Sequence, residues 1–454
     1  MGKKNNFEYI VIGSGPAGST VALSLAEAKK RVAVIDEKNL GGSHLNTRDI
    51  PYLVSLNASH GLSNAIDLPE IRNQNLSFSL PALIAHQFTV VNKISQDLKR
   101  DFKNAGITFL SGTANLLDQH TIAVGSKKIT ADNFILATGS TLKLGNIAGS
   151  DADFYLTPES AIQIRRLPKV AVIVGGGSAG LEIANFYAEL GCKIIIIEKA
   201  SRILPREDKE VSEFFTDYLT NTFGATILPN CEVVQIQKTG AHKTVIFRDY
   251  RGEKMVHTDC IVLATGSQPV LDYGLENAGV AYNENGIKVN KYFQTSAKNI
   301  YAIGDCIGED SSTERAHYDA NLLASNLLTH NKNLANYTGF SRVTKTFPEI
   351  ATIGTTEEFL IKHRRKYKKA IVQLSKTSIS KISGSGFIKL LADKTGHIVG
   401  ATIVSPQAEL MSSEISLAIR HNLTALEIAS TPHPIDNYNY IIRLAAKQIV
   451  NSKN

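Results

Sequence analysis

The chain has 454 residues, 43% hydrophobic and 20% charged, with 49 basic against 42 acidic side chains for a net charge of +7. That length holds about three domains of roughly 150 residues, and the composition is that of a protein able to bury large cores. No apolar run reaches the ~20 residues of a membrane span, and the opening MGKKNNFEY enters a strand pattern without a signal peptide's apolar segment, so a cytoplasmic location is expected.

The basic residues are dispersed. Their densest cluster, Lys362-His363-Arg364-Arg365-Lys366-Tyr367-Lys368-Lys369, is short and reads as a solvated loop or helix end; no specific nucleic-acid partner is expected. Cys192, Cys231, Cys260 and Cys306 are far apart and fit no C-x-x-C or zinc-ligand spacing. No metal site follows from them, and the first three read as small core residues.

The first element is Tyr9-Ile10-Val11-Ile12, an apolar run that meets Gly13-Ser14-Gly15-Pro16-Ala17-Gly18 and then a small-residue helix. A second run, Arg31-Val32-Ala33-Val34-Ile35, ends in Asp36. This is strand, phosphate-binding turn, helix, strand. Gly13 makes the tight turn, Gly15 admits a pyrophosphate, and Gly18 lets the helix lie close on the sheet. The helix N-terminus offers free N–H groups to the anion, and Asp36 is placed for a ribose hydroxyl.

Gly41-Gly42 opens the segment Gly-Gly-Ser-His-Leu-Asn-Thr-Arg-Asp-Ile-Pro. Residues 51–65 and 81–105 pattern as helices, separated by a polar stretch with Asn73, Gln74 and Asn75, and short strands are expected around 107–110 and 121–129. Phe134-Ile135-Leu136-Ala137-Thr138-Gly139-Ser140 is a buried strand ending in a small polar turn. The design then repeats. Val170–Val174 leads into Gly175-Gly176-Gly177-Ser178-Ala179-Gly180, a helix, and Lys193-Ile194-Ile195-Ile196-Ile197-Glu198, with the acid at the same spacing; Cys260–Ser267 echoes the Ala-Thr-Gly-Ser strand. Asn299–Asp305 is a further strand ending in Gly-Asp. From about 341, strand patterns (371–375, 386–392, 397–404) alternate with amphipathic helices (407–421, 437–449), and no phosphate loop occurs.

The expected fold class is therefore α/β: two Rossmann-type dinucleotide-binding domains plus a C-terminal α+β domain. The first domain takes residues 1–150 and 270–340, the second 151–269, and the C-terminal interface domain 341–454.

In this order the motifs resemble the flavoprotein disulfide reductases, or class I pyridine nucleotide-disulfide oxidoreductases, among them dihydrolipoamide dehydrogenase, glutathione reductase, mercuric reductase and soluble transhydrogenase. Phe347-Pro348-Glu349-Ile350-Ala351-Thr352-Ile353-Gly354 and His433-Pro434 complete the resemblance, which spans about residues 7–450. It implies FAD held by Gly13, Ser14, Gly15, Pro16, Ala17, Gly18 and Gly42, with Asp36 on the adenosine ribose. Thr138, Gly139 and Ser140 would close over it, with Asp305 on the ribityl–pyrophosphate region and Ala316 near the ring. A nicotinamide dinucleotide would be held by Gly175, Gly177, Ser178 and Gly180, near Glu182 and Gly266. Glu198 favours NAD(H), because a carboxylate accepts from the free 2′-hydroxyl and repels a 2′-phosphate; Lys199 and Arg202 lie near enough to soften that preference. A homodimer through the C-terminal domain is implied as well.

The sequence departs from the family where the redox centre would be. The family motif Gly-Gly-x-Cys-x-x-x-x-Cys-Ile-Pro-Ser-Lys is replaced here by Gly41–Leu53, with His44 and Asp49 at the two cysteine positions and Leu53 at the lysine. The family's His-Pro-x-x-x-Glu retains His433-Pro434 but has Tyr438 at the glutamate, so His433 is expected to lack its orienting carboxylate. The reading is an FAD-dependent NAD(P)H oxidoreductase of the diaphorase or quinone-reductase type. It would pass electrons to a small non-disulfide acceptor (quinone, dye or oxygen), with His44, Asp49 and the partner's His433 as candidate catalytic groups and dihydrolipoamide dehydrogenase activity not expected. Soluble transhydrogenase-like hydride exchange and a non-catalytic FAD-binding redox sensor or partner protein remain open alternatives.

Overall fold

The computed structural model describes residues 6–37, 39–67, 78–240, 242–308, 312–329, 331–381 and 384–452. The start Met1–Asn5 and the polar stretch at Asn73–Asn75 lie outside the described residues.

Strand Phe7–Ile12 is the centre of a parallel sheet. Val32–Asp36 lies on one side with Tyr9 opposite Val32, and Lys127–Leu136 on the other with Ile12 opposite Leu136. Thr108–Ser111 extends one edge and Ile300–Ala302 the other. Near-continuous apolar strands of this kind are buried on both faces, and Ile10, Val11, Val34, Ile35, Phe134 and Ile135 are fully enclosed. The repeat is visible in the second sheet, ordered Thr226–Leu228, Lys193–Ile197, Val170–Val174, Cys260–Leu263, again parallel, with Val174 opposite Leu263.

The helices expected at 51–65 and 81–105 run over Asp49–Asp67 and Leu80–Ala105; Ser79 caps the latter by accepting from the Ala82 N–H, and Gly106 ends it in the left-handed region. The C-terminal unit is a five-stranded antiparallel sheet, ordered Ser341–Thr344, Glu349–Gly354, Ile398–Ser405, Phe387–Asp393, Tyr367–Gln373. Helices Ala408–Arg420, Ala425–Ser430 and Tyr440–Asn451 pack on it through Met411, Ile415, Ile428, Ile442 and Ala446.

A three-stranded antiparallel sheet, Glu232–Thr239, His242–Asp249 and Gly252–Thr258, was not anticipated from the sequence. Its polar, alternating strands lack the apolar runs that mark the parallel strands. The basic cluster ends helix Glu357–Lys362 and enters strand Tyr367–Gln373, with Lys362–Lys366 exposed. All four cysteines are free and buried. Among the described residues no helix is long and apolar enough to cross a membrane, and no cluster of three or more potential metal ligands occurs.

Candidate active site

Both glycine turns are held by backbone packing that excludes side chains. Gly13 has φ +101°, and a Cβ there would lie 2.1 Å from the Ala137 carbonyl oxygen; Gly175 has φ +104°, with Ala264 O at 2.4 Å. A Cβ on Gly18 would meet Gly13 O at 2.0 Å, and one on Gly180 would meet Gly175 O at 2.0 Å. Gly15, by contrast, has open space, and as the cap of helix Pro16–Glu27 it brings no side chain to the first N–H groups. Gly42 presses on the same turn, where a Cβ would lie 2.8 Å from Gly15 Cα. Each acid accepts from the second N–H of its own turn. Asp36 Oδ2 accepts from the Ser14 N–H at 2.7 Å and its hydroxyl at 2.6 Å. Glu198 Oε2 accepts from the Gly176 N–H at 2.6 Å, and its Oε1 from the Ala200 N–H at 2.6 Å.

A cavity of about 520 Å³ opens on the first turn. Gly13, Ser14, Gly15, Pro16, Ala17, Asp36, Gly42, Thr138, Gly139, Ser140, Asp305 and Ala316 all line it, so the structure gathers nearly every residue expected at FAD; Gly18 stands behind them as a packing position. The Ser140 hydroxyl donates to Asp305 Oδ2 at 2.8 Å, and Thr138 donates to the Val270 carbonyl at 3.1 Å.

A second cavity of about 690 Å³ adjoins it, sharing His44, Arg48, Asp49, Ser140, Thr141, Asp305 and Thr313. Ser178, Glu182 and Gly266 line this cavity; Gly175, Gly180 and Glu198 shape the turn leading to it, and Gly177 caps helix Ser178–Glu189.

On the shared wall His44, from the short helix Gly42–Asn46, meets Asp49, the first residue of helix Asp49–Asp67. His44 Nδ1 lies 2.5 Å from Asp49 Oδ2. The Thr313 hydroxyl is 3.1 Å from the same oxygen and 3.2 Å from His44 Nδ1. Burial works to raise the Asp49 carboxyl, but the His44 hydrogen bond, the His44 and Arg48 charges and the Thr313 bond outweigh it and hold the group below its ordinary range. An ionised carboxylate only accepts, so His44 Nδ1–H is the donor. Thr313 was not foreseen; it lies 264 residues from Asp49, and no local pattern marks it.

Glu182, which lines the second cavity together with Leu53, accepts from the Lys345 backbone N–H at 2.8 Å. Burial pushes its carboxyl up to about 7, against that hydrogen bond and with help from the Asp49 charge. The Lys345 ammonium pairs with Glu409, and the Tyr52 hydroxyl donates to the Lys345 carbonyl at 2.8 Å.

His433 lines neither cavity within one chain. The expectation that it lacks an orienting carboxylate is corrected. Its Nε2 lies 2.8 Å from Glu414 Oε1 and its Nδ1 2.9 Å from the Thr431 carbonyl, while the Asn439 amide donates to Glu414 Oε2 at 3.0 Å. The carboxylate comes from helix Ala408–Arg420 rather than from the Tyr438 position, where the side chain is buried in the C-terminal core.

Comparison with known proteins agrees along the whole chain. Residues 7–320 match the model of the pyridine nucleotide-disulphide oxidoreductases, and residues 340–437 match the dimerisation domain of that family. A dihydrolipoyl dehydrogenase of Bacillus subtilis is 30% identical over 98% of this chain and 97% of its own length. A mercuric reductase of Lysinibacillus sphaericus is 27% identical over 98% of this chain and 82% of its own. In fold, the chain is similar to the HOCl-induced flavoprotein disulfide reductase RclA from Escherichia coli, with a TM-score of 0.89 at 23% identity, covering 98% of this chain and all of that one. The chain belongs to the pyridine nucleotide-disulphide oxidoreductase family, whose members bind FAD and a pyridine nucleotide.

Proposed function

We propose that the chain is an FAD-dependent NAD(P)H oxidoreductase whose electron acceptor is a small non-disulfide molecule such as a quinone, a dye or oxygen. The observation that carries this reading is the hydrogen-bonded His44–Asp49 pair on the wall between the cavities, where the resemblance has two cysteines. Disulfide exchange needs a thiolate and a resolving thiol. Burial raises every cysteine of this chain: Cys192 and Cys306 to about 12, Cys260 to about 11, and Cys231 above its ordinary value. Dihydrolipoamide dehydrogenase and mercuric reductase activities are therefore not expected.

The first cavity fits FAD: an uncapped helix N-terminus faces it across open Gly15, and a Cβ at Gly13, Gly18 or Gly42 would collapse the turn. When bound, FAD supplies hydride uptake from the nicotinamide and electron delivery to the acceptor. Asp36 would hold the ribose, Thr138, Gly139, Ser140 and Asp305 would border the remainder, and Ser178, Glu182 and Gly266 would border the nucleotide. Asp49 orients His44 by accepting from Nδ1–H, so that Nε2 can take up a proton from solvent and pass it to the reduced acceptor.

NAD(H) is the favoured nucleotide. Glu198 is fixed by two N–H groups, and the nearby cations that could meet a 2′-phosphate are engaged. Lys199 pairs with Glu232 at 2.6 Å, while Arg202 pairs with Glu358 and donates to the Glu207 carbonyl at 3.0 Å. Exposed Leu410, Leu417, Leu426 and Ile435 on the C-terminal unit support a homodimer, which would bring the partner subunit's His433 to the acceptor.

Anaerobic mixing with NADH and NADPH, followed at the flavin band, tests this reading together with an acceptor panel of menadione, ferricyanide, oxygen and lipoamide. Bleaching by NADH without a long-wavelength thiolate–flavin band, and turnover on menadione but not lipoamide, is the expected result. His44→Ala and Asp49→Asn should each lower menadione turnover by roughly 10²-fold. Lipoamide turnover, or unchanged rates in both variants, would overturn it.

A further inference from the structure

We infer that Arg48 supplies the positive charge that makes the bound FAD easier to reduce. This rests on the cofactor assignment above, and it concerns a side chain whose placement no motif foretells. Asp36 and Glu37 line one part of the first cavity, and Arg48 belongs to the wall shared with the second. A cofactor whose ribose lies at Asp36 therefore presents its far, reducible end towards that wall.

The shared wall and its surroundings are rich in carboxylates. Asp49 and Asp305 stand on it, and Glu182 and Glu314 line the second cavity. Asp305 is met by the Ser140 hydroxyl and Glu182 by a backbone N–H, both neutral donors. Electrons added amid such groups meet repulsion unless a cation offsets it.

The other cations of the second cavity are committed. Lys345 pairs with Glu409, Arg342 with Glu207 at 3.2 Å, and Arg206 also has partners. Leu53, on the helix that begins at Asp49, is apolar. The Arg48 guanidinium is exposed and makes no hydrogen bond or ion pair with a described residue, yet its charge bears on both Asp49 and Glu182. It is the uncommitted cation of this wall among the described residues.

The test is the midpoint potential of FAD in the purified holoenzyme, titrated against reference dyes with no electron acceptor present. Arg48→Gln should lower the equilibrium constant for two-electron reduction about tenfold, a potential roughly 30 mV more negative. Arg48→Lys should keep the constant within about threefold of the parent, and Leu53→Lys added to Arg48→Gln should restore most of the loss. A constant within twofold of the parent in Arg48→Gln, or equal losses in the Gln and Lys variants, would overturn the inference. If Arg48→Gln releases FAD, Leu53→Lys alone must raise the constant, and no change there would overturn it equally. Because no acceptor is used, a chain inert towards quinones still returns a potential, so failure of the acceptor reading and failure of this one are distinguishable.

Discussion

Lys389→Met should carry a large stability cost away from the cavities. The Lys389 side chain is 1% exposed, and its ammonium lies 2.6 Å from Glu210, 2.7 Å from Glu357 and 3.1 Å from Asp208. Asp208 and Glu210 stand at the start of helix Lys209–Phe223, and Lys389 and Glu357 belong to the C-terminal unit, so one buried cation joins two units. Methionine fills a similar volume but strands the carboxylates. Glu357 keeps Lys369 at 2.7 Å and the Tyr367 hydroxyl at 2.6 Å. Among the described residues the Asp208 side chain, 1% exposed, then keeps only the Glu357 and Glu358 N–H groups, at 3.2 Å each. Removing one member of a buried ionic cluster costs about 3–5 kcal/mol. The cost should depend on pH. Burial raises Glu357, but Lys369, Lys389 and Tyr367 together bring it down to about 2. Its ionisation therefore contributes stability that is complete above the unfolded value of 4.5 and is lost as pH falls towards 2. The difference between parent and variant should be largest above about pH 5.5 and narrow below 4.5. Urea unfolding read separately at the nucleotide and C-terminal units, with hydrogen exchange across their boundary, measures it, since a chain of several units need not unfold in one step. Adding Asp208→Asn and Glu357→Gln should recover most of the loss. A cost under about 1 kcal/mol at pH 7, or one independent of pH, would refute the buried-charge reasoning.

Gly13→Ala should abolish FAD retention and cost more than about 2 kcal/mol, because the new Cβ meets Ala137 O at 2.1 Å at a φ of +101°; flavin absorbance after gel filtration reads it directly. Glu198→Ser should raise the ratio of NADPH to NADH efficiency by roughly 10-fold or more by removing the carboxylate that repels a 2′-phosphate, and an unchanged ratio would show that Glu198 does not set the preference. Glu182→Gln should stabilise the apoprotein at pH 8 but not at pH 4. Burial lifts the folded carboxyl to about 7 from 4.5, so the native state holds its proton longer and stability falls as pH rises between those values. The gain at pH 8 should be about 1–3 kcal/mol, and equal Tm differences at the two pH values would exclude it.

The parts legible in the sequence are those fixed by backbone. Gly13, Gly18, Gly175 and Gly180 are required because a carbonyl oxygen occupies the place of their Cβ, and such a constraint leaves a glycine at a fixed spacing from its strand. The two acids follow, since each accepts from an N–H of its own turn. Side-chain partners brought together by the tertiary fold were not legible. Thr313 reaches Asp49 across 264 residues, Lys389 reaches Glu210 across 179, and Glu414 reaches His433 from a helix 19 residues earlier. For His433 the family spacing even misdirected the reading, because Tyr438 stands where a carboxylate was sought and turns into the core instead.

That division bears on how such a chain can change its chemistry while keeping its fold. The two glycine turns are constrained at Gly13, Gly18, Gly175 and Gly180, where a carbonyl oxygen excludes a Cβ, so drift at those positions is suppressed by sterics alone. In the proposed function the acceptor side falls to His44, Arg48, Asp49, Leu53 and Thr313, which line the cavities. An imidazole and a carboxylate where the resemblance has two thiols break no packing rule. If electrons pass this wall as proposed, the Asp49 carboxylate has on electrostatic grounds to be paired or offset. His44 and Thr313 pair it, at 2.5 Å and 3.1 Å. A pocket filled by neutral drift has no need of that hydrogen-bonded arrangement, so Asp49→Leu distinguishes the two histories. If the pair is only filler, the variant should reduce menadione as the parent does; if Asp49 orients His44, turnover should fall about as far as in His44→Ala while NADH still bleaches the flavin.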